Sequence, residues 1–437
     1  MTSTLPVIIG ASYDFDKRSL DDYFQETTAK SHTYYNNSEW ESSKIYRHLL
    51  KAGTIEGVEA DIDVNKNNFP IYGYVSSFML ELMHIVKIAS QVAVVGSHEV
   101  EIQVEAYRSF LIERGEKTIA DKIVFIHEGN KLSLNSTINK GSKALKLKKG
   151  EKFIFSTGDI PFASYADHLN DPESSSFDFV IDLCAKQVIF PDGNELFPRN
   201  YYQKFPIEER FVDVKEPNIM QLVYDNKILN VTKAFFQKKR SNGVVGKKKF
   251  WIGLGANYLK NYPLTLLRLF NKEFREEIKN GILTVKENLM KNHQYSPETI
   301  SPLVKKLTGY SMKLKAEHKD PFMLKDIDGW QDLFYYLRIM DSASQESAYG
   351  SNAIKMLLPF GEEVVAFDNY LRQINIEQTV PILKHMPKVA QFYAEKLGLG
   401  DVYHVDKLVV KTHPKENIQA SIDYLIKRTE LLMSIYG

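Results

Sequence analysis

The sequence predicts an α/β protein on a doubly wound, mainly parallel mixed sheet, followed by an α-helical C-terminal region. Three observations carry this. Four short apolar runs recur in the first 157 residues, and the later ones are separated by stretches of helical period, the pattern of βαβ units. From residue 177 strand-like and helix-like patterns mix. Beyond residue 341 only helical patterns remain.

The elements follow in order. Residues 5–9 (LPVII) form an apolar run ending at Gly10, which fits a buried strand opening into a loop. Residues 13–68 are more polar, with a helix over 42–51 as their one regular candidate. Residues 76–90 (SSFMLELMHIVKIAS) place Phe78, Leu82, Ile85 and Val86 on one helical stripe begun by a serine cap. Residues 91–96 (QVAVVG) read as a second buried strand, 100–114 as a helix, 122–126 as a strand, 133–146 as a helix and 152–157 (KFIFST) as a strand. In the mixed part, residues 177–183, 210–214 and 220–224 read as strands and 231–237 as a helix. Residues 262–308 are mainly helical, broken by Gly281, Pro297 and Pro302. Residues 310–315 and 323–327 read as strands and 330–340 as a helix. No repeat or low-complexity tract interrupts the chain.

Composition narrows the function classes. The chain has 437 residues, enough for two or three domains, with 56 Lys+Arg against 55 Asp+Glu. That balance gives no global field for nucleic acid or anionic lipid, which argues against nucleic acid as a partner. No apolar run approaches the roughly 18–20 residues of a membrane helix, and the first residues carry no signal-peptide pattern. One cysteine, Cys184, excludes an internal disulfide framework and any cysteine-cluster metal site, and it points to a reducing, cytoplasmic setting. The 11 histidines are scattered without H-x-x-x-H or H-x-H spacing, so zinc is not expected. No G-x-S-x-G elbow occurs, and Gly253-Leu254-Gly255-Ala256 lacks the third glycine of a dinucleotide fingerprint. The basic stretch at 238–249 (KKRSNGVVGKKK) reads as a solvated loop, with a site for an anionic acceptor or RNA as the alternative.

Doubly wound sheets hold ligands beyond the C-terminal ends of their strands, so the loops after Ile9, Gly96, Ile126 and Thr157 are the ones to search. The most informative stretch is 155–162 (FSTGDIPF). An apolar strand ends at Gly158 and presents Asp159 in a turn shaped by Pro161, where a carboxylate can hold a hard divalent cation. The alternative role for Asp159 is to cap a following helix. A second acidic strand end lies in LKDIDGWQDL, where Asp326 and Asp328 alternate and share one face, and Asp332 falls one turn into the next helix. Asp328 has the same capping alternative.

Four segments in order resemble the nucleotidyltransferases of the GT-A fold, the group that includes sugar-phosphate nucleotidylyltransferases and MobA-like enzymes. Residues 5–12 (LPVIIGAS) stand where that family has its first strand and Gly-rich loop. Residues 66–75 (KNNFPIYGYV) are similar to its K-P-L-L-P-V-x-G-K-P segment, with Lys66, Pro70 and Gly73 in register. FSTGDIPF resembles the strand and metal-binding aspartate, and DIDGWQDLFYYL resembles the D-[IV]-D-x-P-E-D-L element. Residues 135–141 (NSTINKG) are similar to the segment leading into the helix that covers the nucleotide. The resemblance spans roughly residues 5–340. It implies an α/β nucleotidyltransferase-like domain over 1–340, with an insertion at about 19–62, and a helical region over 341–437.

The resemblance implies a set of roles. Lys66 and Asp159 would be catalytic. Gly10, Ala11, Ser12, Lys17, Arg18, Gly96, Asn135 and Gly158 would bind nucleotide, and Asp159 with Asp328 or Asp326 would hold Mg2+. The substrates would be a nucleoside triphosphate and a phosphorylated small molecule, a sugar or polyol phosphate, with release of pyrophosphate. The C-terminal helices are candidate surfaces for a homo-oligomer. The first loop departs from the family's L-x-x-G-x-G-x-R: only Gly10 is kept, and Lys17 and Arg18 fall late. Two alternatives stay open: a GT-A glycosyltransferase that uses a nucleotide-sugar, and a degenerate domain with a regulatory or scaffold role, which that departure supports.

Overall fold

The computed structural model describes residues 5–11, 66–68, 70–129, 134–163, 176–185, 203–207, 210–215, 218–227, 271–292, 294–318, 330–346, 353–380 and 415–436, together with Asp320, Phe322, Ile327 and Leu383. Strand β1 (Val7–Gly10) is buried along its whole length. A 3-10 turn (Lys66–Asn68) then leads into the small hairpin β2 (Pro70–Tyr72) and β3 (Val75–Ser76). Helix α1 (Ser77–Ile88), β4 (Val92–Gly96), α2 (His98–Glu113), β5 (Ile123–His127), α3 (Leu134–Ala144) and β6 (Lys152–Thr157) complete the alternation. These agree with the expected runs to within two or three residues at each end.

The mixed part holds β7 (Phe179–Ala185), β8 (Gln203–Ile207), β9 (Arg210–Lys215), β10 (Ile219–Val223), α4 (Lys272–Lys291), α5 (Pro297–Thr308) and β11 (Met312–His318). Helices α6 (Trp330–Glu346), α7 (Gly361–Gln373) and α8 (Lys415–Tyr436) follow. No helix among the described residues is long and apolar enough to cross a membrane.

Nine strands form one mixed sheet in the order β5-β4-β1-β6-β10-β7-β9-β8, with β11 added to β7. Strands β5, β4, β1 and β6 are mutually parallel, an arrangement consistent with a Rossmann-like fold. Strand β10 pairs antiparallel with both β6 and β7, β11 runs parallel to β7, and the β8–β9 hairpin closes the far edge antiparallel. Alternate residues of the parallel strands feed two cores. Val7, Ile9, Val92, Val94 and Ile154 pack toward α1, α2, α6, α7 and α8. Ile8, Ala93, Val95, Phe153 and Phe155 pack toward α3, around Ile138. Gly141 allows that second contact, because a Cβ there would stand 2.5 Å from Ile8 Cγ2.

Several expectations need correction. Gly281 does not break a helix; it lies inside α4, where Leu303 of α5 packs against it. Pro297 starts α5 at a position where its missing N–H costs nothing, and Pro302 sits inside that helix. Ser76 occupies the N-cap of α1, but its hydroxyl donates to Gln103 Oε1 (2.6 Å) and makes no cap bond. Ile327 is not in a strand, and the rest of 323–326 lies outside the described residues, as do the helices expected over 42–51 and 231–237. Strand β8 is an addition to the expected elements, and its Pro206 is tolerated because β8 is an edge.

Candidate functional site

Parallel pairing places the ends of β1, β4, β5 and β6 along one edge of the sheet. Ala11 N–H donates to the Val95 carbonyl, Glu128 N–H to Gly96, and Gly158 N–H to Gly10, each at 2.9 Å. Gly10 and Gly158 are thus adjacent across the β1–β6 ladder, with Ala11 beside them. A Cβ on Gly158 would meet Ala11 Cα at 3.3 Å, Asn67 Oδ1 at 3.1 Å and Phe78 Cβ at 3.0 Å, so glycine lets three segments close on this point. A Cβ on Gly10 would meet Phe155 and Thr137, which sets the first turn of α3 over the end of β1.

Asp159 follows directly and is 2% exposed. Residues 160–163 run in turns, so Asp159 does not cap a helix. Its N–H donates to the Thr157 carbonyl (2.8 Å), and its carbonyl accepts from Ile327 N–H (3.0 Å). That bond brings the chain at Ile327 onto the Asp159 loop. Asp326 and Asp328 flank Ile327 in sequence but lie outside the described residues, as do Ser12, Lys17 and Arg18.

Lys66 opens the 3-10 turn whose next residue, Asn67, touches the Gly158 position. Buried Gln103 holds that turn: its Nε2 donates to Asn68 Oδ1 (2.8 Å), and its Oε1 accepts from Ser76. The hairpin that follows turns at Gly73, with φ +55°, where the Asp368 carboxylate of α7 fills the space of a Cβ. Asp368 accepts from Tyr74 N–H (2.7 Å) and Arg372 Nε (2.9 Å). Asn135 is buried in the first turn of α3. Gly96 lies on the same edge one strand from Gly10, and its small size accommodates Val100 at the start of α2.

The structure therefore brings together Gly10, Ala11, Gly158, Asp159 and the turn that begins at Lys66. It also adds residues that were not singled out from sequence. Asn67 and Asn68 stand next to Lys66. Ser77 Oγ donates to the Gly158 carbonyl (3.4 Å). Thr157 and Asn218 are neighbours across β6 and β10, and Thr157 Oγ1 and Asn218 Nδ2 are both buried without a hydrogen-bond partner among the described residues. The first pair lies inside the quoted KNNFPIYGYV stretch and Thr157 inside FSTGDIPF, but only sheet pairing reveals Asn218 as Thr157's neighbour.

The Asp159 carboxylate offers hard oxygen donors, which suit a hard cation such as Mg2+. Among the described residues no group of three or more His, Cys, Asp or Glu could hold a metal ion. Magnesium keeps several waters and needs only one or two carboxylates, so Asp159 fits it and a thiolate or imidazole metal is not favoured. Beneath the loop, burial and then the Arg428 charge lower the pKa of His84 to about 3, so its ring is neutral near pH 7.

No family model and no curated protein matches the chain. Among solved structures it is similar to the 4-diphosphocytidyl-2C-methyl-D-erythritol synthase from Anaerococcus prevotii DSM 20548. The identity is 10% and the TM-score 0.33, over 77% of this chain and 95% of that one. A likeness of that degree decides neither family nor activity.

Proposed function

We propose that this protein is a Mg2+-dependent nucleotidyltransferase, transferring a nucleotidyl group from a nucleoside triphosphate to a phosphorylated small molecule such as a sugar or polyol phosphate. The observation that carries the reading is the convergence of Gly10-Ala11, the Lys66–Asn68 turn and Gly158-Asp159 at the C-terminal edge of the parallel strands. Ligands of open α/β sheets bind at that edge, and an aspartate there beside two glycine-built close approaches suits a phosphate–metal pair.

On this reading each residue has a task. The backbone at Gly10 and Ala11 would face the triphosphate from the end of β1. Asp159, with Asp328 or Asp326, would hold Mg2+, which when bound neutralises charge on the phosphates. Lys66 supplies a cation to the phosphates or to the attacking group, and Lys17 and Arg18 would add to it. Thr157 and Asn218 offer a hydroxyl and an amide donor to a polar substrate group. A phosphate oxygen of the acceptor attacks the α-phosphorus in line, a new P–O bond forms, and pyrophosphate leaves. No general base is required, because that oxygen is already ionised. Positioning and charge neutralisation supply most of the acceleration.

The test is pyrophosphate release with each of the four nucleoside triphosphates and a panel of sugar phosphates, alongside thermal shifts with Mg2+. Asp159→Ala is expected to lower turnover by at least about 10²-fold while the melting temperature stays within a few degrees. Release of a nucleoside diphosphate from a nucleotide-sugar would replace this reading with a glycosyltransferase. Absence of any nucleotide-dependent shift would sink both.

A further inference from the structure

Arg428, in the second half of α8, is 8% exposed, an unusual place for a guanidinium. Its Nη1 donates to the Phe162 carbonyl (2.5 Å) and to Asp320 Oδ2 (2.8 Å). Asp320, itself 1% exposed, also accepts from Phe322 N–H (3.0 Å) and Tyr424 hydroxyl (3.3 Å). The guanidinium carbon lies 5.7 Å from the centre of the Phe322 ring and 5.9 Å from that of Tyr424. The Asp320 carboxylate is thus well satisfied, but Arg428 Nε and Nη2 are buried with no hydrogen-bond partner among the described residues.

Stability alone does not explain this residue. A buried ion pair often contributes no more than apolar side chains of the same volume, and unpaired buried donors add a cost. What the arginine does is geometric. Phe162 lies three residues after Asp159, and Asp320 lies seven before Ile327, whose N–H holds the Asp159 carbonyl. A single Nη1 therefore ties together the two stretches of chain that meet at Asp159.

The loop is held elsewhere as well. Ser77 holds the Gly158 carbonyl, and His84 hydrogen-bonds the Ala163 backbone. The seat of α8 is made by Ile418, Ile422 and Leu425 in the main core and by the buried Tyr335–Ser421 hydroxyl pair (2.6 Å).

We infer that Arg428 is a positioning residue for the metal site. From the C-terminal helix it sets the Asp159 loop against the chain at Asp320 and Ile327, and so fixes how the Asp159 carboxylate meets a divalent cation. This rests on the functional reading above. It also makes α8 a structural part of the site, although Arg428 is 269 residues from Asp159 in sequence.

The test measures Mn2+ binding to the full-length protein by electron paramagnetic resonance, with melting temperatures in parallel. Two altered proteins address Arg428: Arg428→Lys, and the charge-neutral pair Arg428→Met with Asp320→Asn. Tyr335→Phe is the control, because it removes the Tyr335–Ser421 hydroxyl pair that seats the same helix and leaves Arg428 and Asp320 in place. Mn2+ affinity is expected to fall about 10–100-fold in the charge-neutral pair, the range for groups that orient a metal ligand, and less in Arg428→Lys. Tyr335→Phe should leave affinity unchanged even where its melting temperature drops by as much. The inference is overturned if folded Arg428 variants bind Mn2+ like the wild type, or if Tyr335→Phe weakens binding equally. It is also overturned if both Arg428 variants fail to fold while Tyr335→Phe folds, since the arginine would then determine the fold and not the site. A wild-type protein that binds no Mn2+ would instead defeat the functional reading.

Discussion

The two halves of the sheet are buried to different degrees. In the parallel half, β1 and β4 have no exposed residue, because α3 covers one face and α1, α2, α6, α7 and α8 cover the other. In the antiparallel half, the buried cluster among the described residues is small, centred on Leu183, Phe205, Val212, Val214 and Leu314, and α5 contributes no buried residue to it. Phe211 of β9 is largely exposed. The candidate site stands on the first half. Covering both faces fixes the backbone at the strand ends, and a site that positions phosphates needs that rigidity.

If this contrast is right, the largest effects of substitution belong to the parallel half. Phe153→Ala, which empties a fully buried position beside Ile8 and Phe155, should cost about 3–5 kcal/mol. Phe205→Ala in the smaller cluster should cost less. Chemical denaturation of both measures the difference, and equal losses would break the contrast.

A pH series sharpens it next. The pKa of His84 falls from 6.5 to about 3 on folding, chiefly through burial and then through Arg428. Below about pH 6.5 the unfolded chain takes up a proton that the folded chain refuses, so stability declines as pH falls toward 3. His84→Gln should remove about 1–3 kcal/mol of that decline by pH 4. Parallel stability curves for the two proteins between pH 7 and 4 would refute the assignment.

The same substitution should then act with opposite sign in the two halves. Gly141→Ala forces a Cβ to 2.5 Å from Ile8 in a closed core and should destabilise by about 1–3 kcal/mol. Gly281→Ala places its Cβ 3.3 Å from Leu303 Cδ1, the mobile end of a side chain, inside a partly exposed helix. It should stabilise by about 0.5–1 kcal/mol, through helix propensity and a less flexible unfolded chain. Melting temperatures that move in the same direction for both would show that the halves pack alike.

Much of the parallel half was legible because its strands are buried on both faces and so read as continuous apolar runs between amphipathic helices. Residues 152–157 were bounded to the residue for that reason. The separate β2–β3 hairpin and the antiparallel half were harder. β2 and β3 are only three and two residues long, and β8 contains a proline. Gly281 and Pro302 look like breakers locally, yet packing between α4 and α5 and the exposed face of α5 accommodate them.

For the site, Gly10, Ala11, Gly158 and Asp159 were visible because each follows a strand. The residues that hold them were not. Gln103 is one polar residue in a helix, Asn218 is a pre-strand asparagine, and Arg428 reads as one of many surface charges on a terminal helix. Local sequence determined which strands and turns this protein makes, because periodicity and glycine placement are properties of a few consecutive residues. Which side chains surround Asp159 was decided only by the tertiary structure. Those contacts join residues as many as 266 positions apart, and the chain must close a core before they exist.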